Sequence, residues 1–175
     1  MHKKIKEISD LYDEFVRDLL RSGKLPAWDT GEGYYSSSET EDMIMLFQKI
    51  DWSKVRSFLD LGSGDGKLAL MASLFTDSTG IEIDKELHNK AEEFRRKLRL
   101  KCTFICGNYM EHDISGYDLI FLNPDKPFYR GLEAKMKKEL KGKLLVYSPV
   151  YHPQTLKKTK EFNINSRIIP QYENK

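Results

Sequence analysis

A chain of 175 residues is the size of one ordinary domain, with room for a single core and not for two large ones. Charged residues make up 32% of it, yet 29 lysines and arginines stand against 27 aspartates and glutamates, so the formal net charge is only +2 and no global field recruits nucleic acid or an anionic membrane. No stretch reaches the roughly 20 apolar residues of a membrane span, and the opening MHKKIKEISD lacks the apolar segment of a secretory signal, which predicts a soluble, cytoplasmic protein with no membrane partner.

Taken in chain order, Ile5, Ile8, Tyr12, Phe15 and Leu19 recur at helical spacing and predict an amphipathic helix from residue 3 to about 21, closed by SGKLP and packed on the main body as a lid or flank. AWDTGEGYYSSS then reads as a Gly- and Ser-rich connection, whose tryptophan and two tyrosines serve either function or burial. In SETE, Ser38 and Glu41 have the spacing of a capping box for a helix running to about Lys49. Residues 1–37 are expected to flank a site built by residues 38–175, the whole forming one structural domain.

From there strand, loop and helix alternate. The apolar runs VRSFLDL, STGIEID, CTFIC, YDLIFLN and KLLVYSP are separated by helical patterns, Leu87, Ala91, Phe94 and Leu98 in one and Phe128, Leu132, Met136 and Leu140 in another. This alternation predicts an α/β fold with a doubly wound, mainly parallel sheet and an N-terminal helical extension. After Tyr151, PQTLKKTKEF reads as a short helix and SRIIPQY as a last strand. Cys102 and Cys106 share one face of the CTFIC strand, where four residues span about 13 Å, too far for a disulfide. They are expected in the core, with no Cys or His partners to complete a metal site.

The chemistry gathers at the strand ends. Asp60 ends the first strand, Glu82 the second, Asn108 lies just past the third and Asn123 ends the fourth, so in an open parallel sheet the four line one crevice outside the carboxyl ends. The glycine loop, FLDLGSGDGKLAL, has Lys67 where a dinucleotide fingerprint beginning at Gly62 requires glycine. Its own carboxylates, Asp60 and Asp65, repel a pyrophosphate. S-adenosylmethionine, with a cationic sulfonium and an ammonium and no phosphate, suits that charge pattern.

LDLGSGDG, then GIEID, CGNYME and YDLIFLNPD, resembles the motif series of class I S-adenosylmethionine-dependent methyltransferases, with their Rossmann-like fold, over about Val55 to Pro149. The resemblance implies that Asp60, Gly62 and Gly64 border the methionyl part, that Gly66 permits close packing, and that Glu82 takes the ribose hydroxyls. It also implies that Asn108 reads the adenine edge with the Tyr109 backbone beside it. Each has a plainer alternative: a tight turn for the glycines, a first-turn acid for Glu82 or Asp84, a turn residue for Asn108.

For the acceptor, NPDKPFY resembles the N-P-P-Y pattern of amino methyltransferases, in which the Asn oxygen and a Pro carbonyl accept the amine hydrogens. Asp125 and Lys126 depart from it, and Phe128 and Tyr129 either replace its ring or start the next helix. YYSSSETEDM and LEAKMKKELKGKLLVYSP are similar to small, single-domain protein lysine methyltransferases of the Dot1 type. That similarity implies a protein acceptor and an upstream loop closing over the cofactor. Asn123, Tyr34 and Tyr35 are therefore the candidate catalytic set, the tyrosines being either methyl-channel or structural residues. A nucleic-acid acceptor is the rival, resting on Lys135, Lys137, Lys138, Lys141, Lys143, Lys157, Lys158 and Lys160, a run interrupted by Glu133 and Glu139. An inactive cofactor-binding subunit is the third reading, and the sequence leaves the oligomeric state open.

Overall fold

The computed structural model describes residues 1–128 and 131–174; Tyr129, one of the two residues that could replace the ring of the N-P-P-Y pattern, lies outside the described residues. The chain opens with helix α1 (His2–Arg21), followed by a small antiparallel hairpin of β1 (Ala27–Asp29) and β2 (Tyr34–Ser36) that sets Trp28 opposite Tyr35. Next come α2 (Thr40–Lys49), β3 (Ser57–Leu61), α3 (Lys67–Ala72), β4 (Asp77–Glu82), α4 (Lys85–Leu98), β5 (Thr103–Cys106) and β6 (Leu119–Leu122). The remaining elements are α5 (Leu132–Glu139), β7 (Lys143–Val146), β8 (Lys157–Ile164) and β9 (Arg167–Glu173).

The large sheet runs β5-β4-β3-β6-β7-β9-β8. Its first five strands are parallel, and β9 pairs antiparallel with both β7 and β8. The expected doubly wound, mainly parallel sheet is what the chain forms. Strand order reverses between β3 and β6, so the loops leaving those two strands diverge and open a crevice at the sheet's carboxyl edge.

Both faces of the sheet are buried, which is why its parallel strands read as unbroken apolar runs. Phe58, Phe121 and Leu145 face α1, α2, α3 and α4, meeting Ile8, Tyr12, Phe47, Met71 and Phe94. Leu59, Leu61, Ile120 and Leu144 face the other way, against Leu132, Met136 and Leu140 of α5. The N-terminal helix belongs to the first of these cores, Ile8 and Tyr12 being fully buried in it.

Four local expectations are corrected. The α2 helix starts behind Glu39 with no side-chain cap, so Ser38 and Glu41 form no capping box; instead the Ser37 hydroxyl and the Ser38 carbonyl both accept from the Lys67 ammonium. The lysine-rich stretch expected as a short helix is β8, which takes its conformation from seven register pairs with β9 across a turn at Asn165 (φ 51°). Only Phe162 and Ile164 of that strand are buried, a spacing of two, and its exposed lysines suit an edge strand that must not pair with another chain. Cys106 is exposed rather than in the core, because β5 is the opposite edge, and Cys102 is half-buried. Helix α5 begins only at Leu132, and Phe128 ahead of it is buried in the second core, closed off from stacking on a substrate.

The eight lysines of the C-terminal third do not form one face. Lys135 is 8% exposed and donates to the His112 carbonyl and the Glu139 carboxylate. Lys143 and Lys160 share a groove with Lys54, Asp51 and Asp118 at the amino ends of the strands. Among the described residues, no helix is long and apolar enough to cross a membrane.

Candidate functional site

Leaving β3, the chain folds back over β4: the Gly62 and Ser63 amides both donate to the Ile81 carbonyl at 2.9 Å, and the Gly66 amide donates to the Ser63 carbonyl at 2.8 Å. Gly66 (φ +82°) is the tightest point, since a Cβ there would lie 2.5 Å from the Phe104 ring and 2.7 Å from Ala91 Cβ. The glycine lets α3 start against β5 and α4. Gly64, at φ +53° in the turn closed by the Gly66–Ser63 bond, also makes a seat: the Tyr35 ring lies 3.1 Å from where its Cβ would be.

Glu82, at the end of β4 and 8% exposed, grips this loop from the side. Its Oε2 accepts the Gly64 amide at 2.7 Å and its Oε1 the Asp84 amide at 2.8 Å. A carboxylate offers about four lone-pair sites, so roughly two remain for hydroxyl donors. Asp84 itself caps α4, its Oδ1 accepting the Leu87 amide at 2.8 Å, the helix-start role open to it in the sequence.

Asp60 is 4% exposed and receives neither a hydrogen bond nor an ion pair from the described residues. Burial, then the neighbouring Glu82 and Asp65 carboxylates, push its carboxyl up to about 8. A buried acid short of a cation is the counterpart of a ligand that carries one. Because the folded ligand-free chain holds this proton far more tightly than the unfolded one, stability is lost as pH rises from about 4 to about 8. An ammonium bound beside Asp60 ionises it, so cofactor affinity is expected to rise close to tenfold from pH 6 to 7 and to level near 8. Calorimetry in buffers of different ionisation enthalpy checks this: near one proton is released per site at pH 7 in the wild type, and none from the carboxyl in Asp60→Asn.

Asp65 joins the loop to the N-terminal segment. Its Oδ2 accepts the Tyr35 hydroxyl at 2.7 Å and its carbonyl accepts the Tyr12 hydroxyl at 2.7 Å. Burial raises its carboxyl above the ordinary aspartate range against the opposing pull of Lys67. Lys67, only 3% exposed, sends its ammonium to Ser37 Oγ (2.8 Å) and the Ser38 carbonyl (2.7 Å), and lies 5.1 Å over the Tyr12 ring. Burial lowers its pKa, and Asp65 resists that shift. Residues 30–38 are thus strapped across the crevice. On the far side, Asp125 Oδ2 accepts the Tyr34 amide at 3.1 Å.

The crevice beneath this strap encloses about 140 Å³. Asp60, Gly62, Gly64, Glu82, Tyr109 and Asn123 line it from the sheet edge, with Tyr34 and Tyr35 from the strap. Tyr35 is 6% exposed and Tyr34 59%. Burial, then Asp125 and Glu82, raise the Tyr109 hydroxyl above its ordinary value. Gly66 lies behind the lining, and Asn108 stands outside it, exposed, with its Oδ1 accepting the Met110 amide at 2.9 Å as a turn residue does. None of the eight C-terminal lysines reaches the crevice among the described residues. The strap tethers, Lys67 and Asp125, were missed as site residues. The only signals for them were a lysine directly after the third glycine and an aspartate in place of a proline.

These residues fit S-adenosylmethionine: an acid at Asp60 for its ammonium, spare lone pairs on Glu82 for a vicinal diol, and a ring of carboxylates that disfavours a phosphate.

Comparison with solved structures finds the same fold in the RNA methyltransferase of Salinibacter ruber in complex with S-adenosyl-L-homocysteine, at 19% identity over 78% of this chain and 92% of that chain, TM-score 0.65. It recurs in the Pyrococcus abyssi tRNA (uracil-54, C5)-methyltransferase in complex with S-adenosyl-L-homocysteine, at 13% identity over 79% of this chain and 40% of that one, TM-score 0.64. The magnesium protoporphyrin IX methyltransferase of Synechocystis PCC 6803 with bound S-adenosylmethionine matches at 12% identity over 77% and 76%, TM-score 0.58. No curated protein matches the chain. The sheet order and the crevice at its switch point are those of the class I methyltransferase fold. The family model described as histone methylation protein DOT1 matches residues 23–127, from the strap through the glycine loop to the N-P-D motif after β6, and with more than half of its length so matched the chain belongs to that family.

Proposed function

We propose that this S-adenosylmethionine-dependent methyltransferase transfers its methyl group to a lysine side-chain nitrogen of a protein. The observation that carries the reading is the extent of the family match, which takes in the strap, the glycine loop and the N-P-D motif together. The distribution of positive charge supports it: none of the eight C-terminal lysines that a nucleic-acid acceptor would use reaches the crevice among the described residues.

Asp60 and Glu82 would hold the cofactor, which would supply a methyl carbon activated by a sulfonium leaving group for direct transfer to an amine nitrogen. The protein's share is alignment and exclusion of water. Asn123 Oδ1 and the Pro124 carbonyl accept hydrogens of the incoming neutral amine and aim its lone pair at the crevice. Tyr35, locked by Asp65 and seated on Gly64, forms a rigid wall, while the exposed Tyr34 borders the entrance. The strap covers the reacting atoms once Lys67 holds Ser37 and Ser38.

Incubation of the protein with methyl-labelled cofactor and cell extract, divided between nuclease and protease treatment, tests the acceptor class. Label that survives nuclease, is lost with protease and is recovered as methyllysine after hydrolysis is expected. Label destroyed by RNase instead moves the acceptor to RNA. Binding of cofactor with no label in any fraction identifies a cofactor-binding subunit.

A further inference from the structure

We infer that Asp125 is the acceptor-recognition carboxylate of the site, selecting a cationic amine over the planar neutral amines that an N-P-P-Y motif serves. The inference rests on the lysine reading and deepens it.

The residue stands two positions after Asn123, where that motif has its second proline, and it lines the crevice with Asn123 and Pro124. Its side chain is 25% exposed, so an approaching solvated cation reaches it while much of its field stays unscreened. Oδ2 accepts the Tyr34 amide at 3.1 Å, which fixes the carboxylate between the strand end and the strap. Oδ1 has no hydrogen-bond partner among the described residues. The Asp125 charge also reaches across the crevice, raising the Tyr109 hydroxyl together with Glu82. The cation already near it, Lys126, is 3.5 Å away and 47% exposed, a solvated pair that an incoming ammonium displaces at little cost.

A carboxylate beside an amine has two opposed effects. It concentrates the protonated acceptor at the entrance and lowers KM, and it holds the proton on the amine, which must leave to water before nitrogen can attack. Recognition and reactivity are therefore separable in the kinetics. Asp125→Asn is the informative variant, because its side-chain oxygen still accepts the Tyr34 amide and the strap stays tied, while the charge is gone.

With the protein fraction of the extract as acceptor, D125N is expected to raise KM about tenfold, to shift the acid limb of the kcat profile to lower pH, and to leave the calorimetric affinity for S-adenosylmethionine unchanged. An unchanged KM and an unmoved profile would overturn the assignment while lysine methylation by the wild type stood. A parallel loss of cofactor affinity would also overturn it, reducing Asp125 to a strap tie. A wild type that labels no lysine ends both this inference and the reading beneath it, so the two failures are told apart by the wild-type control.

Discussion

Glu82→Ala is expected to weaken S-adenosylmethionine binding at least about 100-fold, and Glu82→Gln to be no milder. A charged acceptor is worth about 1.5–3 kcal/mol per hydrogen bond, so loss of the two hydroxyl contacts proposed for a bound ribose would account for the factor alone. The alanine variant also strands the Gly64 amide, which Glu82 now satisfies at 2.7 Å. Glutamine looks conservative and is not. Both carboxylate oxygens already accept backbone amides, from Gly64 and from Asp84, so whichever way the amide group turns, its NH₂ meets another N–H. Titration calorimetry on both variants is the measurement; a glutamine variant within threefold of wild type would refute the double-acceptor account of this residue.

A large effect on stability is expected from Gly66→Ala. The position has φ +82°, costing a non-glycine residue about 1–2 kcal/mol, and the added methyl would press on the Phe104 ring at 2.5 Å and on Ala91 at 2.7 Å. Overpacking of this kind adds about 1–3 kcal/mol, for a total near 3 kcal/mol and a fall in melting temperature of roughly 6–12 °C in a chain this size. Shortening Phe104 to leucine in the same background should return part of the loss, because the two positions touch and their effects are not additive. A melting temperature within 2 °C of wild type would refute the close approach of α3 to β5 and α4.

The sheet and one wall of the crevice were legible because their signals are local. Parallel strands buried on both faces read as apolar runs, and a charged residue at the end of such a run, Asp60 or Glu82, stands out against it. The other wall was not legible, because its bonds join distant positions: Tyr35 with Asp65, Ser37 and Ser38 with Lys67, Tyr34 with Asp125. No window along the chain contains both partners of any of these. The segment misread as a helix, now β8, failed for the same reason, since its conformation is supplied by β9. Asn108 shows the reverse hazard: its place in a motif suggested a ligand contact, while its own backbone two residues on takes its side-chain oxygen.

One segment, residues 30–38, is bonded both to the glycine loop, through Asp65 and Lys67, and to the strand end beyond Asn123, through Asp125. The 140 Å³ it encloses is below the roughly 300 Å³ at which small-molecule sites begin. A ligand of cofactor size therefore needs the strap to lift, and lifting it also unfastens the tie to Asp125. The glycine loop and the strand end are thus fastened by one segment and freed together.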